Sequence, residues 1–161
     1  MFREMRRKKQ ALKRSECDDL LCRGSYGVLA LYGDGGYPYA IPLSYFYDGK
    51  NIYFHCAKSG HKLETLQNSP KASFCVVGKD QIVPEEYTTY FSSVIVFGKV
   101  YIVTDEQEKR RYIDKLALKY APNSSAADRK RAVEREWTHL CMLKLLPEHI
   151  TGKQAIELTK R

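Results

Sequence analysis

A chain of 161 residues with 43% hydrophobic side chains is the size of one domain that can build its own core. The formal net charge is +8, but Arg3, Arg6, Arg7, Lys8, Lys9, Lys13 and Arg14 against Glu4 supply most of it as an N-terminal arm over residues 1–14. Little excess is left for a basic face elsewhere, so nucleic acid is not the expected partner. Cys17, Cys22, Cys56, Cys75 and Cys141 form an odd set without a C-x-x-C pair, which excludes a disulfide framework and a zinc ribbon, and no apolar run approaches the roughly 20 residues of a membrane span. A cytoplasmic protein with no signal peptide is expected.

In chain order, Ser15 with Asp18, Leu20 and Leu21, then Arg23-Gly24, predicts a short helix with a serine cap and a glycine stop. Three strands follow, over 26–32, 39–47 and 52–56, separated by Gly33-Asp34-Gly35-Gly36 and Asp48-Gly49. Connections this short join antiparallel neighbours. Pro38 and Pro42 lack a ladder donor, which places the second strand at an edge, at a bulge or against a ligand. A helix over 61–67 stops at Asn68-Ser69-Pro70, a fourth strand covers 72–77, and 78–89 reads as a loop.

The longest strand pattern spans 90–103, with Val94, Val96, Gly98 and Val100 on one face and Ile95, Phe97 and Tyr101 on the other. Both faces are apolar, as in a barrel strand that also meets a second subunit. Thr104 and Gln107 form a capping box for a helix reaching Tyr120, on which Ile113, Leu116, Ala117 and Tyr120 share a face. A charged helix ends near Glu136, and a last strand over 137–146 stops at Pro147. Six strands with short turns predict one mainly β domain, a six-stranded antiparallel split barrel of Greek-key type with peripheral helices. A ferredoxin-like layout is the competitor, disfavoured by three consecutive strands with no intervening helix.

The segment Ile52-Tyr53-Phe54-His55-Cys56-Ala57-Lys58-Ser59-Gly60-His61-Lys62 runs an apolar strand into a glycine and then a helix start with a basic tip. Unpaired N–H groups at a helix start, with Lys62 and His61 beside them, suit a phosphate. A plain strand-to-helix connection is the alternative. Neither G-x-G-x-x-G nor G-x-x-x-x-G-K-[ST] occurs, and G-x-S-x-G is absent. His55, Cys56 and His61 do not read as metal ligands, because alternation sends His55 and Cys56 to opposite faces. A strand cysteine such as Cys56 is ordinarily a small buried hydrophobe.

Met5-Arg6-Arg7-Lys8, Tyr39-Ala40-Ile41-Pro42-Leu43-Ser44-Tyr45, Ile52 to Ala57, Gly60-His61-Lys62, Asn68-Ser69-Pro70-Lys71 and Ile150-Thr151-Gly152-Lys153 occur in an order that resembles the pyridoxamine-phosphate-oxidase-like flavin-binding split barrels, in the branch of the nitroimidazole-resistance proteins. The resemblance implies a homodimer with FMN in a groove between subunits. It places Pro42, Leu43, Ser44 and Tyr45 along the flavin ring, His55, Cys56 and Ala57 on the ribityl and phosphate approach, and His61 and Lys62 on the phosphate. Ser92 and Ser93 would reach in from the partner subunit. The implied activity is an oxidoreductase that passes electrons from NAD(P)H to a small nitro-aromatic acceptor, with His55 as the side chain closest to catalysis. The alternatives are a flavin carrier without turnover, a relative holding haem or a deazaflavin, pyridoxamine 5'-phosphate oxidase itself, which the missing arginine-rich substrate end disfavours, and, lowest, nucleic-acid binding by the basic arm.

Overall fold

The computed structural model describes residues 2–160. Its elements are α1 (Arg14–Arg23), β1 (Tyr26–Tyr32), β2 (Pro38–Ser44), β3 (Phe46–Tyr47), β4 (Ile52–Ala57), α2 (His61–Asn68), β5 (Lys71–Val83), β6 (Thr88–Ile102), α3 (Glu106–Tyr120), α4 (Ala126–Glu136) and β7 (Leu140–Gln154). The strands form one antiparallel sheet in the order β2-β1-β5-β6-β7-β4-β3. Two βαβ units are not present among the described residues, so the ferredoxin-like alternative is gone.

The expected six strands are seven, because the run over 39–47 divides at Tyr45. β2 pairs with β1 at one end of the sheet, while β3 pairs with β4 at the other. The sheet is therefore not closed by a ladder. A single residue carries the chain from one edge to the other, which makes the barrel a split one. The prolines fit this arrangement, since β2 has a neighbour on one side only and a missing N–H costs least at a free edge.

Tyr45 explains where the split falls. Its N–H donates to the Tyr120 hydroxyl at 2.9 Å, and its carbonyl accepts from Lys119 Nζ at 3.0 Å, so the end of α3 takes the backbone groups a strand neighbour would otherwise take. Its side chain is fully buried, and its hydroxyl donates to the Leu21 carbonyl at 2.7 Å. Lys119 also donates to the Gly24 carbonyl at 2.6 Å and lies over the Tyr45 ring at 4.1 Å. Burial pulls the Lys119 ammonium below its ordinary value, opposed in part by the Cys22 thiol. Gly24 does end α1, but with φ of −60°. Its glycine is required by packing, since a Cβ there would lie 2.4 Å from the Tyr45 hydroxyl.

The barrel interior is filled by Leu29, Leu31, Phe54, Phe74, Val76, Val94, Val96, Leu143 and Leu145, with Leu20 and Leu21 of α1 and Leu63 of α2 closing it. A second cluster, Tyr53, Val103, Ile113, Val133, Leu140 and Met142, lies between the opposite face of β4 and β7 and the helices α3 and α4. β6 alternates as its sequence predicts, with Val94, Val96 and Val100 buried and Ile95, Phe97 and Tyr101 exposed.

Four boundaries differ from expectation. α1 is capped by Lys13, whose N–H bonds Glu16 Oε2 at 2.6 Å, and not by Ser15. α3 is capped by Asp105, whose Oδ1 accepts from the Glu108 N–H at 2.6 Å; this acceptor lies one residue beyond Thr104. The segment over 78–89 is not a loop. β5 and β6 continue as a paired hairpin to Val83 and Thr88, beyond a bulge next to Gly78, because their N–H and C=O groups pair with each other when no third strand is available. Finally, β7 begins at Leu140 and passes through Pro147, which lies opposite Gly98 at a register shift where the ladder is interrupted anyway. Trp137 stays outside it, packed between Lys109 at 4.0 Å and Arg110 at 4.1 Å. No helix among the described residues is long and apolar enough to cross a membrane.

Candidate functional site

α2 begins directly from Gly60, which has φ of 122° and carries no side chain to cap the helix. The N–H groups of Leu63 and Glu64 both turn back to the Gly60 carbonyl, at 2.9 and 3.3 Å. Those of His61 and Lys62 have no acceptor within the helix, as the first turn geometry dictates. A Cβ built on Gly60 would meet nothing within 4 Å, so the space beside this glycine, at the helix start, is open. The helix dipole and the Lys62 ammonium make that space electropositive.

The two basic side chains at this tip behave differently. His61 Nε2 lies 3.1 Å from Asp34 Oδ2, and its ring stacks on Tyr39 with centroids 4.3 Å apart. This contact ties α2 to β2 and to the β1–β2 turn. Lys62 has no such anchor and lies close enough to His55, Cys56 and Cys141 to influence their protonation. Asp34 and Tyr39 are the residues the predicted set lacked. Gly33-Asp34-Gly35-Gly36 reads only as a turn in the sequence, and nothing local reports that it folds back onto α2.

Alternation along β4 sends His55 and Ala57 outward, where both are exposed, while Cys56 points with Phe54 toward the interior. The His55 imidazole is held below the ordinary histidine value, first by desolvation and then by the Lys62 charge. An ¹H–¹⁵N titration of the His55 ring should therefore give a midpoint below that of an ordinary histidine, and Lys62→Ala should raise it only part of the way back. A wild-type midpoint at or above the ordinary value would contradict this geometry. The sign for stability follows. Below the ordinary value the unfolded chain takes the proton before the folded one, so this group makes stability decline as pH falls through that window.

On β2, Pro42 and Ser44 are exposed, whereas Leu43 packs against the core. Tyr45 follows β2 with its side chain fully inside the barrel, so only its backbone is near the β2 edge. Pro42, Ser44, His55, Ala57, His61 and Lys62 thus sit on β2, β4 and the start of α2, the elements that border the split. Ser92 and Ser93 do not join them. Ser93 lies opposite Lys153 while His55 lies opposite Met142, placing the two at opposite ends of β7. Ser92 is directed at Gly78, its Oγ 2.9 Å from where a Cβ there would stand.

Ser93 belongs instead to an outward apolar face. Val28, Cys75 and Ile95 are in register across β1, β5 and β6, with Ala30, Ser73 and Phe97 forming the next row and Val77 opposite Ser93 beyond them. Val28, Val77, Ile95 and Phe97 are all exposed.

The family model described as pyridoxamine 5'-phosphate oxidase matches residues 13–154, most of the chain and all of the sheet. No curated protein sequence matches. Among solved structures, a candidate 5-nitroimidazole antibiotic resistance protein from Bacteroides thetaiotaomicron superposes with a TM-score of 0.76 at 19% identity, over 89% of this chain and 86% of that one. A FAD-binding protein from Mesorhizobium loti gives 0.68 at 22% identity, over 91% and 97%. The FAD and haem binding protein from Mycobacterium smegmatis gives 0.72 at 23% identity, over 91% and 73%. At these identities the likeness establishes the fold, a split barrel.

Proposed function

Because the chain belongs to the pyridoxamine 5'-phosphate oxidase family, we propose that it binds FMN at the split between β2, β4 and α2 and works as an oxidoreductase. The observation that carries this reading is the start of α2: a helix N-terminus with no capping side chain, open space beside Gly60, and Lys62 at its tip. The residues present fit a flavin phosphate there. FMN is the flavin proposed, although similar structures include proteins described as FAD-binding.

Bound flavin supplies the electron transfer, accepting from NAD(P)H and delivering to a small acceptor, for which a nitro-aromatic is proposed. The protein's share is to bind and orient. Lys62 and the free N–H groups of His61 and Lys62 hold the phosphate. The free edge of β2 from Pro42 to Ser44 presents backbone groups to the ring, and Pro42 leaves a position without a competing donor. His55, outward and with its imidazole drawn below the ordinary histidine value, lines the acceptor side. The exposed face of Val28, Val77, Ile95 and Phe97 is apolar enough to pair with a second copy, and pairing would bring Ser93 toward the partner's site.

Steady-state oxidation of NAD(P)H by the flavin-loaded protein, with and without a nitroimidazole, tests the activity. Acceptor-dependent turnover that falls at least tenfold in His55→Ala, with flavin content unchanged, is the expected result. Full flavin content with no turnover would leave the second reading, a flavin carrier, which the likeness to a FAD and haem binding protein favours.

A further inference from the structure

Cys56 of β4 and Cys141 of β7 are register partners, directly opposed on antiparallel strands. Opposed residues on such strands have Cα atoms about 4.5 or 5.5 Å apart, inside the 4.4–6.8 Å span that a disulfide bridges. Both side chains turn to the same side of the sheet, toward the barrel interior. Cys141 is 6% exposed, whereas Cys56 is only partly covered.

We propose that Cys56 and Cys141 are a reversible dithiol–disulfide site, oxidised by a hydroperoxide that reaches Cys56. The environment supports this chemistry. Lys62, Lys58 and Lys109 lie near enough for their charges to favour a thiolate on the pair, against the opposing effect of burial. The two thiols titrate as one coupled pair, so the first proton leaves the pair and not one named sulfur. Cys56 is the sulfur a peroxide can reach, and as thiolate it attacks a peroxide oxygen. The O–O bond breaks, Cys56 becomes a sulfenic acid, and the departing hydroxide leaves as water after taking a proton. Cys141 sulfur then attacks Cys56 sulfur, the S–O bond breaks, and a second water leaves with the Cys141 proton. Two thiols and one hydrogen peroxide yield one disulfide and two waters, the thiols losing two electrons.

The remaining cysteines have no such arrangement. Cys22 is exposed on α1, and Cys17 and Cys75 are held as ordinary thiols, with burial raising both. The pair therefore competes against a more accessible but unpaired Cys22.

The experiment uses the full chain, fully reduced, exposed to one equivalent of hydrogen peroxide, then alkylated, digested without reductant and mapped by mass spectrometry. The expected product is a linked Cys56–Cys141 peptide, two hydrogens lighter than the reduced pair and restored by dithiothreitol, with Cys17, Cys22 and Cys75 still alkylated. In Cys141→Ser, Cys56 should be trapped by dimedone as a sulfenic acid at least five times more than in the unaltered protein. Selective loss of the Cys22 thiol with Cys56 and Cys141 left reduced, or equal dimedone labelling of Cys56 in both proteins, would overturn the proposal. None of these readouts depends on bound flavin.

Discussion

Tyr45→Ala is expected to lose about 4 kcal/mol of folding stability, in the range observed when a buried aromatic is truncated. The ring is fully buried, meets Phe74 edge-on at 5.0 Å and supports the Lys119 ammonium, while the hydroxyl satisfies the Leu21 carbonyl. Removing it opens a cavity at the one place where the barrel is closed by the chain itself. Tyr45→Phe separates the two contributions. It keeps the packing and leaves one buried carbonyl unpaired, for a loss of about 1–2 kcal/mol. Urea denaturation checks both, with the midpoint shifting and the slope unchanged. Equal losses in the two variants would mean that the hydroxyl, not the packing, holds the split together.

Lys62→Ala is expected to weaken FMN binding about 10- to 100-fold, since a charge-assisted bond to a phosphate contributes about 1.5–3 kcal/mol and each 1.4 kcal/mol is a factor of ten. His61→Ala should cost less. Its imidazole is engaged with Asp34 and Tyr39, and its backbone N–H, which the substitution keeps, is the group that faces the anion. Its effect should come from loosening α2 against the β1–β2 turn. Fluorescence quenching of titrated FMN gives both constants. A larger loss at His61 than at Lys62 would reverse the roles assigned to the two side chains. High salt should diminish the Lys62 effect if the ammonium remains partly solvated in the complex.

The sequence reported the fold well where a signal is local and repeated. The alternation of Val94, Ile95, Val96 and Phe97 made both faces of β6 legible, and Pro38 and Pro42 marked a strand at an edge, at a bulge or against a ligand, of which the edge is what the sheet order shows. The signals that failed are ones in which a distant partner decides. Nothing near Tyr45 says that Lys119 and Tyr120 will take its backbone groups and divide the strand in two. Pro147 reads as a strand end because its role depends on Gly98 across the ladder, where a Cβ would lie 2.2 Å from the Leu146 carbonyl. Gly78 to Thr89 reads as a loop because its pairing is only with itself. At the site, the strand–glycine–lysine block pointed to α2, since a helix start without a capping side chain is visible in the residues. Asp34 was not visible, because the contact that engages the His61 ring is made by the fold. The opposite orientations of His55 and Cys56 followed from strand periodicity alone, and the opposition of Cys56 to Cys141 required the register of β4 on β7.

The most direct test of the central claim is the visible absorption spectrum of the purified protein, followed by denaturation and mass identification of any released cofactor. Flavin bands with FMN released at close to one per chain, or stoichiometric uptake of added FMN that Lys62→Ala impairs, is the predicted result. A colourless protein that takes up neither FMN nor FAD would contradict the flavin site at the start of α2.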